Sequence, residues 1–175
     1  MTNYFDLYQI PISFYPEQDI IKKKFYELSR LYHPDRFAST GGEELDNALR
    51  MAAINNEAYK ILKNNDATMQ YILQINNLIE QDEKYNLPSV FLMEMMEINE
   101  ALSDFELEPT NKNLLTQARE TLNEQLEQWK MNVDKQIHLF EKNNDHKILL
   151  QIKDFYFRKK YLLRIKERID TFAAQ

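Results

Sequence analysis

Cysteine is absent from this chain of 175 residues, and glycine occurs only twice. Without cysteine the chain can form no disulfide bond, thiolate zinc site or cysteine-ligated iron–sulfur cluster, and it has no thiol nucleophile. Two glycines and five prolines supply few tight turns for a β-sandwich or barrel, and they argue against a glycine-rich phosphate loop. Because 43% of the residues are hydrophobic, a core can still form, and we expect an all-α fold.

A long apolar run and an excess of basic residues are also missing. No segment approaches the length needed to cross a bilayer, and the N-terminus lacks the basic region and apolar core of a signal peptide. The net charge of −6 opposes general nucleic-acid binding, since phosphate neutralisation dominates such affinity. We therefore expect a cytoplasmic protein that binds neither nucleic acid nor membrane.

The first part of the chain has the apolar spacing of an antiparallel helical hairpin. Ile21, Phe25, Leu28 and Tyr32 recur four, three and four residues apart, which predicts one buried stripe on a helix. After a loop that holds both glycines, a second helix is predicted from about residue 43 to residue 63. The side chains predicted on the inner face of the second helix are Leu45, Leu49, Ala52, Tyr59 and Leu62.

Two shorter helices are predicted to flank this hairpin. Asn3 can cap the first, which ends before Pro11, and Asp66 can cap the second. A polar segment without periodicity follows at residues 80–87 and predicts a linker. We therefore expect one domain at residues 1–79 and another at residues 88–175.

The two hairpin helices are joined through the pentapeptide Tyr32-His33-Pro34-Asp35-Arg36. Proline forces the preceding residue out of the helical conformation and cannot donate a backbone hydrogen bond, so the first helix must end near Tyr32. An imidazole and a carboxylate are thereby displayed in a loop at a helix end. Loop groups of this kind are more available to a partner than core groups are.

Residues 88–175 are predicted to form a three-helix bundle. Two long helices keep apolar residues three or four positions apart, and Asn143-Asn144-Asp145 marks the turn between them. The apolar positions of the first long helix are Leu115, Ala118, Leu122, Leu126, Trp129, Val133, Ile137 and Phe140. Those of the last helix are Ile148, Leu149, Ile152, Phe155, Leu162, Ile165, Ile169 and Phe172.

The helix that opens this bundle has more apolar surface than one stripe requires. Its predicted core stripe is Phe91, Met95, Ile98 and Leu102. At about 100° per residue, Leu92, Met93 and Met96 project roughly 100–200° away from Phe91. Periodicity leaves two interpretations open: the helix is buried on two sides, or it exposes an apolar patch. The acidic residues that would rim such a patch are Glu97, Glu100 and Asp104.

Charge is distributed unevenly in the second half of the chain. Residues 82–108 contain eight acidic residues and one lysine, whereas residues 145–170 contain eight basic and four acidic residues. Two parts of the second half are therefore oppositely charged, and one interpretation is that they are solvated faces of helices packed in one bundle.

The chain has no grouping of side chains that is typical of catalysis or metal binding. The three histidines, His33, His138 and His146, have no partner at the spacing of metal ligands or of a base and a nucleophile. Carboxylate pairs on an acidic helix are commonly just solvated. We therefore expect a protein that is not an enzyme and that has no catalytic residue, metal site or cofactor.

The pentapeptide in its context resembles the J domain. The matching features are an amphipathic helix with two adjacent lysines, then Tyr-His-Pro-Asp-Arg, then an alanine-rich helix containing Ile-Asn-Asn-Glu-Ala-Tyr at residues 54–59. Members of that family dock on a DnaK-type chaperone and stimulate its ATPase, and the resemblance implies the same surface here. The residues it implies in chaperone binding are Lys22, Lys23, His33, Pro34, Asp35 and Arg36.

This resemblance also implies a role for each loop residue. Asp35 would engage a basic group of the chaperone, Pro34 would fix the loop and His33 would hold its shape. The basic residues would steer docking through charge. Tyr26 and Glu27 depart from the continuous basic helix surface of general J proteins, which favours a dedicated chaperone over a general one.

The whole chain resembles the HscB family of iron–sulfur assembly co-chaperones. It has a J-like N-terminus, no Gly/Phe-rich linker, no zinc-binding cysteine repeats, and a C-terminal bundle that opens with Phe-Leu-Met-Glu-Met-Met-Glu-Ile at residues 91–98. In that family the bundle binds an IscU-type scaffold through an apolar patch with acidic neighbours, and an HscA/DnaK-type chaperone receives the scaffold. The resemblance therefore favours an exposed patch. The scaffold-binding residues it implies are Leu92, Met93, Met96, Glu97, Glu100, Asp104 and Phe157.

Three other hypotheses remain open at this point. A J-domain adaptor for a different client would not recover the scaffold from a native lysate. A structural helical protein with an accidental tripeptide would tolerate any change in the loop without effect on a chaperone. A small hydrolase would show activity in the purified chain alone.

Overall fold

The computed structural model describes residues 3–38, 41–80 and 83–174. The chain divides into two compact units, Met1–Ile79 and Glu80–Gln175, which are called the N-terminal and C-terminal units below. Within the described residues the regular structure is helical and contains no strand, so the predicted all-α class is confirmed. Residues 39 and 40 of the predicted glycine loop and residues 81 and 82 of the predicted linker lie outside the described residues.

The N-terminal unit is built around an antiparallel pair of helices. Its α-helices are α1 (Tyr4–Tyr8), α2 (Gln18–Leu31), α3 (Gly42–Leu62) and α4 (Asn65–Ile75), with a 3-10 turn at Pro34–Arg36. The start of α2 lies at the end of α3, where the side chain of Gln18 donates to the Leu62 carbonyl at 3.3 Å. Phe25 of α2 stacks on Tyr59 of α3 with ring centroids 4.2 Å apart. The predicted helical hairpin is thus present.

The ends of the short helices follow from side-chain capping. Asn3 accepts a hydrogen bond from the Phe5 backbone N–H at 2.9 Å, as predicted. The cap of α4 is Asn64 rather than the predicted Asp66. Asn64 has an extended backbone, and its side-chain oxygen accepts from the N–H groups of Asp66 and Ala67, which is the geometry of an N-cap.

The inner face of α3 differs from the prediction. Leu49 is 49% exposed, whereas Ala48 and Ala58 are buried and Asn55 is 1% exposed. Small residues let the α2 and α3 backbones approach closely, and the polar Asn55 is tolerated because it is fully hydrogen-bonded to neighbouring elements. The predicted inner residue Leu62 is completely buried.

The C-terminal unit is a three-helix bundle, as predicted, in which the first helix is broken. Its helices are α5 (Ser89–Glu94), α6 (Met96–Leu107), α7 (Lys112–Asn143) and α8 (His146–Ala173). The chain returns between α7 and α8 through Asn144 in a left-handed conformation, and Asp145 then caps α8. In the middle of the long pair, the indole N–H of Trp129 donates to the Phe155 carbonyl at 2.7 Å.

The described part of the predicted linker packs on α8. Lys153 and Glu83 form an ion pair at 2.6 Å, and the Tyr85 hydroxyl donates to Asp154 at 3.1 Å. The Tyr85 ring stacks on Phe157 with centroids 4.3 Å apart and planes inclined by 5°. Residues 83–87 therefore form one wall of a surface on the C-terminal unit.

Candidate functional site

The loop after α2 is a short, well-defined turn. Leu31 is the last residue of α2, Tyr32 caps it, and His33 is extended because Pro34 follows. Pro34, Asp35 and Arg36 then form a 3-10 turn closed by the Arg36 N–H to the His33 carbonyl and the Phe37 N–H to the Pro34 carbonyl. The sequence motif thus forms a turn between α2 and α3 that two backbone hydrogen bonds close.

The His33 ring faces the backbone of this turn. Its Nδ1 accepts a long hydrogen bond from the Asp35 N–H, with an N···N distance of 3.4 Å. An Asp35 carboxylate oxygen lies 3.6 Å from the same nitrogen. The backbone contact has the geometry of an N-cap, through which His33 closes the start of the turn.

The carboxylate of Asp35 points into solvent. Its side chain is 89% exposed, compared with 56% for His33. Arg36 is held differently, because its guanidinium donates to the Arg30 carbonyl at the end of α2 at 3.0 Å. The turn therefore presents one exposed carboxylate beside a cation that is anchored to the helix end.

The two lysines predicted to steer docking lie near the start of α2, away from the turn. Lys22 and Lys23 are both exposed, and at about 1.5 Å per residue they stand roughly 12–14 Å from the end of the helix. Tyr26 is 50% exposed on the same helix, and Glu27 pairs with Lys24 at 3.6 Å. The structure thus groups residues 33–36 in one turn and places the lysines on the helix that leads to it.

The helices α5 and α6 separate the predicted core stripe from the surplus apolar residues. Phe91, Met95, Ile98 and Leu102 are buried, with Met95 at the break between the two helices. On the other side, the exposed fractions are 39% for Leu92, 68% for Met93 and 53% for Met96. The surplus residues are therefore exposed, as the second interpretation required. We call Leu92, Met93, Met96, Glu97, Glu100 and Asp104 the α5–α6 patch.

Two features of this patch were not predicted from the sequence. Val90 is 69% exposed and adds to the apolar surface. A hollow of about 380 Å³ is lined by Met96, Glu100 and Asp104 together with Asn99 and Ser103. Single apolar residues at a helix start carry little periodicity signal, which explains why Val90 was missed.

Asn99 and Phe91 attach the back of the patch to α8. The Asn99 side chain donates to the Met95 carbonyl at 2.9 Å and to the Tyr161 hydroxyl at 3.0 Å. Phe91 meets the Tyr161 ring edge-on, with centroids 5.7 Å apart. The Met95 carbonyl also accepts a hydrogen bond from the Asn99 backbone N–H at 3.1 Å, so Asn99 binds it twice, and Tyr161 contacts both helices.

The remaining predicted scaffold-binding residue, Phe157, lies in a neighbouring groove of α8. The groove has a volume of about 540 Å³. We call it the α8 groove, and its lining residues are Glu83, Tyr85, Leu87, Phe157, Lys160, Tyr161, Leu163 and Arg164. Burial, and then the Asp154 carboxylate, raise the pKa of Tyr85, which keeps its phenol protonated as a donor. Phe157 is therefore joined to the α5–α6 patch through Tyr161.

The described residues contain neither a cluster of potential metal ligands nor a long apolar helix. Among them, no group of three or more histidine, aspartate or glutamate side chains is arranged to hold a metal ion. None of the described helices has the length and apolar character required to span a bilayer.

The sequence of this chain is similar to HscB proteins over about half to two thirds of its length. Residues 87–170 match the family model of the HSCB C-terminal oligomerisation domain. The co-chaperone protein HscB homolog of Vibrio vulnificus (strain YJ016) is 34% identical over 58% of this chain and 60% of its own length. The co-chaperone protein HscB of Proteus mirabilis (strain HI4320) is 32% identical over 65% of this chain and 66% of its own length. The alignments thus cover about three fifths to two thirds of these relatives.

Solved structures match almost the full chain. The chaperone HscB from Vibrio cholerae has a TM-score of 0.71 and 24% identity, and the match covers 99% of both chains. The crystal structure of human co-chaperone protein HscB has a TM-score of 0.74 and 25% identity, covering 98% of this chain and 82% of the human one.

A helical hairpin with an exposed loop, followed by a three-helix bundle, defines an all-α fold of the kind seen in the solved HscB structures. More particularly, the C-terminal unit resembles the HscB C-terminal domain over residues 87–170. The resemblance to HscB predicted from the sequence is confirmed.

Proposed function

We propose that this chain binds an IscU-type iron–sulfur scaffold and delivers it to an HscA/DnaK-type chaperone while stimulating the ATPase of that chaperone. The observation that carries the proposal is the presence of two exposed surfaces of different chemistry on two separate units. One is the turn with the free Asp35 carboxylate, and the other is the acid-rimmed α5–α6 patch. The curated relatives are named co-chaperones, which agrees with a binding protein that has no catalytic centre of its own.

The N-terminal unit would act as the trigger. Asp35 is free to accept hydrogen bonds from a basic group on the chaperone, and charge-assisted hydrogen bonds of this type are stronger than neutral ones. His33 and Pro34 fix the direction of the carboxylate before binding, so little conformational entropy is lost on docking. Lys22, Lys23 and Arg36 would accelerate the encounter through long-range attraction.

The C-terminal unit would hold the scaffold. Leu92, Met93 and Met96 offer exposed apolar side chains, and an apolar surface rimmed by charge is typical of a partner site. The acidic rim would favour a basic or neutral partner surface and would exclude strongly acidic ones.

The two sites would be coupled by proximity rather than by chemistry. A scaffold held by the C-terminal unit is brought to the chaperone at a raised effective concentration when the N-terminal unit docks. The chaperone hydrolyses ATP, and the cluster belongs to the scaffold, so the proposed mechanism needs no cofactor in this chain.

Affinity capture tests the scaffold half of this proposal. The wild type should retain an IscU-type scaffold, and the Leu92→Ala/Met96→Ala variant should lose most of it because the apolar contact is removed. Asp35→Asn should retain the scaffold fully, since the turn lies on the other unit. Recovery of a different protein in place of the scaffold would favour an adaptor for another client, a possibility that adaptable exposed methionines permit.

A further inference from the structure

The α8 groove holds two positive charges without an ionic partner. Elsewhere on the same side of α8, cations are paired with carboxylates: Lys153 with Glu83 at 2.6 Å, and Arg168 with Glu106 at 2.9 Å. Lys160 and Arg164 are exposed and make no ion pair with a carboxylate of the described residues. The groove is thus a local excess of positive charge on a chain whose net charge is −6.

Aromatic rings hold these two cations at the edge of the groove. Lys160 Nζ lies 5.9 Å from the centre of the Phe157 ring, and the Arg164 guanidinium lies 5.4 Å from the centre of Tyr161. Cation–π contacts of this type position a cation but leave its hydrogen-bond donors free. The donors of both residues are therefore available to an anionic group.

The floor of the groove is apolar and partly exposed. The stacked rings of Phe157 and Tyr85 form one side, and Leu163, which is 40% exposed, forms another. A volume of about 540 Å³ accommodates one or two large side chains. The groove consequently fits a segment that carries an apolar anchor beside acidic residues.

The groove is continuous with the α5–α6 patch. Tyr161 lines the groove, receives the hydrogen bond from Asn99 and packs against Phe91, both of which belong to the helices of the patch. Asn99 in turn lines the hollow beside Met96. A single partner that covers the patch therefore meets the groove next to it, and the two surfaces have opposite charge.

We propose that the α8 groove is the second half of the scaffold-binding surface and receives an acidic segment of the scaffold with an apolar anchor. This inference rests on the function proposed above. It assigns Lys160, Leu163 and Arg164 as contact residues and requires a scaffold face with both signs of charge. The patch alone would offer three apolar side chains, whereas patch and groove together offer a larger interface with a defined orientation.

The test is the affinity of the chain for an IscU-type scaffold that carries no cluster, measured by isothermal titration calorimetry. Lys160→Gln/Arg164→Gln removes two charges while keeping the side-chain stems, and it should weaken binding roughly tenfold. The matched control is Lys147→Gln/Lys166→Gln, which removes the same charge from exposed positions of α8 outside the groove and should bind within about twofold of wild type. Raising the salt concentration from about 0.05 M to about 0.5 M should reduce the difference in scaffold affinity between wild type and the groove variant, because salt screens the charges.

Failure of the inference and failure of the proposed function give different results. If the groove variant binds like wild type while Leu92→Ala/Met96→Ala does not bind, the patch is the scaffold site and the groove is not part of it. If wild type itself does not bind the scaffold, both proposals are wrong. A second copy of this chain is another occupant that the groove could bind, and sedimentation equilibrium of the same variants tests it. If self-association is lost only in the groove variant while scaffold affinity is unchanged, the groove binds a second copy of the chain.

Discussion

Single residues decide how the N-terminal unit holds together, and Asn55 is the clearest case. Its amide donates to the Phe25 carbonyl and to the Ser29 hydroxyl, each at 3.0 Å, and its carbonyl oxygen accepts from the Tyr8 hydroxyl at 3.0 Å. One buried side chain on α3 thus ties together α1 and α2. A buried polar group that is fully satisfied fixes a unique packing, whereas an unsatisfied one is costly.

Replacing Asn55 with leucine should therefore destabilise the N-terminal unit. The change leaves the Tyr8 hydroxyl, the Ser29 hydroxyl and the Phe25 carbonyl without this partner, and we expect a loss of roughly 2–4 kcal/mol in the free energy of unfolding. Urea unfolding followed by circular dichroism measures the loss. The exposed neighbour gives the control, since Asn56→Leu should change stability by less than about 0.5 kcal/mol. If the two substitutions lowered the free energy of unfolding equally, the hydrogen bonds of Asn55 would not be what stabilises this unit.

The buried Tyr8 hydroxyl makes stability depend on alkaline pH. Burial raises the pKa of Tyr8 above its usual value of 10.0, because the folded state favours the neutral phenol. Its contribution is present below pH 10.0 and is lost as the pH rises above that value, where the unfolded chain ionises first. Urea titrations between about pH 8 and about pH 11 should show falling stability, and Tyr8→Phe should reduce the slope. An unchanged slope in Tyr8→Phe would contradict burial of the neutral phenol.

Local chemistry made the turn predictable, but the inner face of α3 was less so. Pro34 acts through covalent geometry, so the end of α2 and the display of His33 and Asp35 could be inferred from the residues alone. Which residues of α3 face the core depends on where a neighbouring helix lies so close that only a small side chain fits. The hydrophobicity of Leu49 therefore predicts an inner position, although the interior is occupied by Ala48 and Asn55.

At the scale of elements, α5 and α6 use their two faces for different purposes. One face carries the completely buried Met95 and Leu102, and the opposite face carries Met93 and Met96 in solvent. The break at Met95 also explains the limit of the sequence prediction, which treated the two helices as one. Met95 itself adopts a helical conformation, so the residues around it carry no obvious stop signal.

Substitutions on the buried face should consequently lower stability, whereas substitutions on the exposed face should lower scaffold binding. Met95→Ala removes a core side chain and should lower the free energy of unfolding by roughly 2–5 kcal/mol. Leu92→Ala/Met96→Ala removes exposed atoms and should cost less than about 1 kcal/mol while abolishing most of the scaffold binding. Fluorescence of Trp129, the one tryptophan of the chain, follows unfolding of the C-terminal unit. A large loss of stability in the double variant would show that the patch belongs to the core.

The chain as a whole divides into two compact units, with the exposed turn on the first and the α5–α6 patch on the second. The order of motifs in the sequence predicts a loop in the first part of the chain and a patch in the second, because each consists of residues close together in sequence. The α8 groove could not be predicted in the same way. Tyr85 and Phe157 are 72 positions apart and meet only through the packing of residues 83–87 on α8.

Single-turnover ATP hydrolysis by the cognate HscA-like chaperone, measured with and without the scaffold, tests the proposed function most directly. Wild type should accelerate hydrolysis, and further so with scaffold, because two contacts are then made at once. Asp35→Asn should lose at least roughly tenfold of the stimulation in both conditions, since it removes the charge of the exposed carboxylate, whereas the exposed control Asp46→Asn should not. Leu92→Ala/Met96→Ala should lose only the scaffold-dependent part. A wild-type chain that leaves the rate of ATP hydrolysis unchanged, or an Asp35→Asn variant that stimulates it fully, would contradict the proposed co-chaperone function.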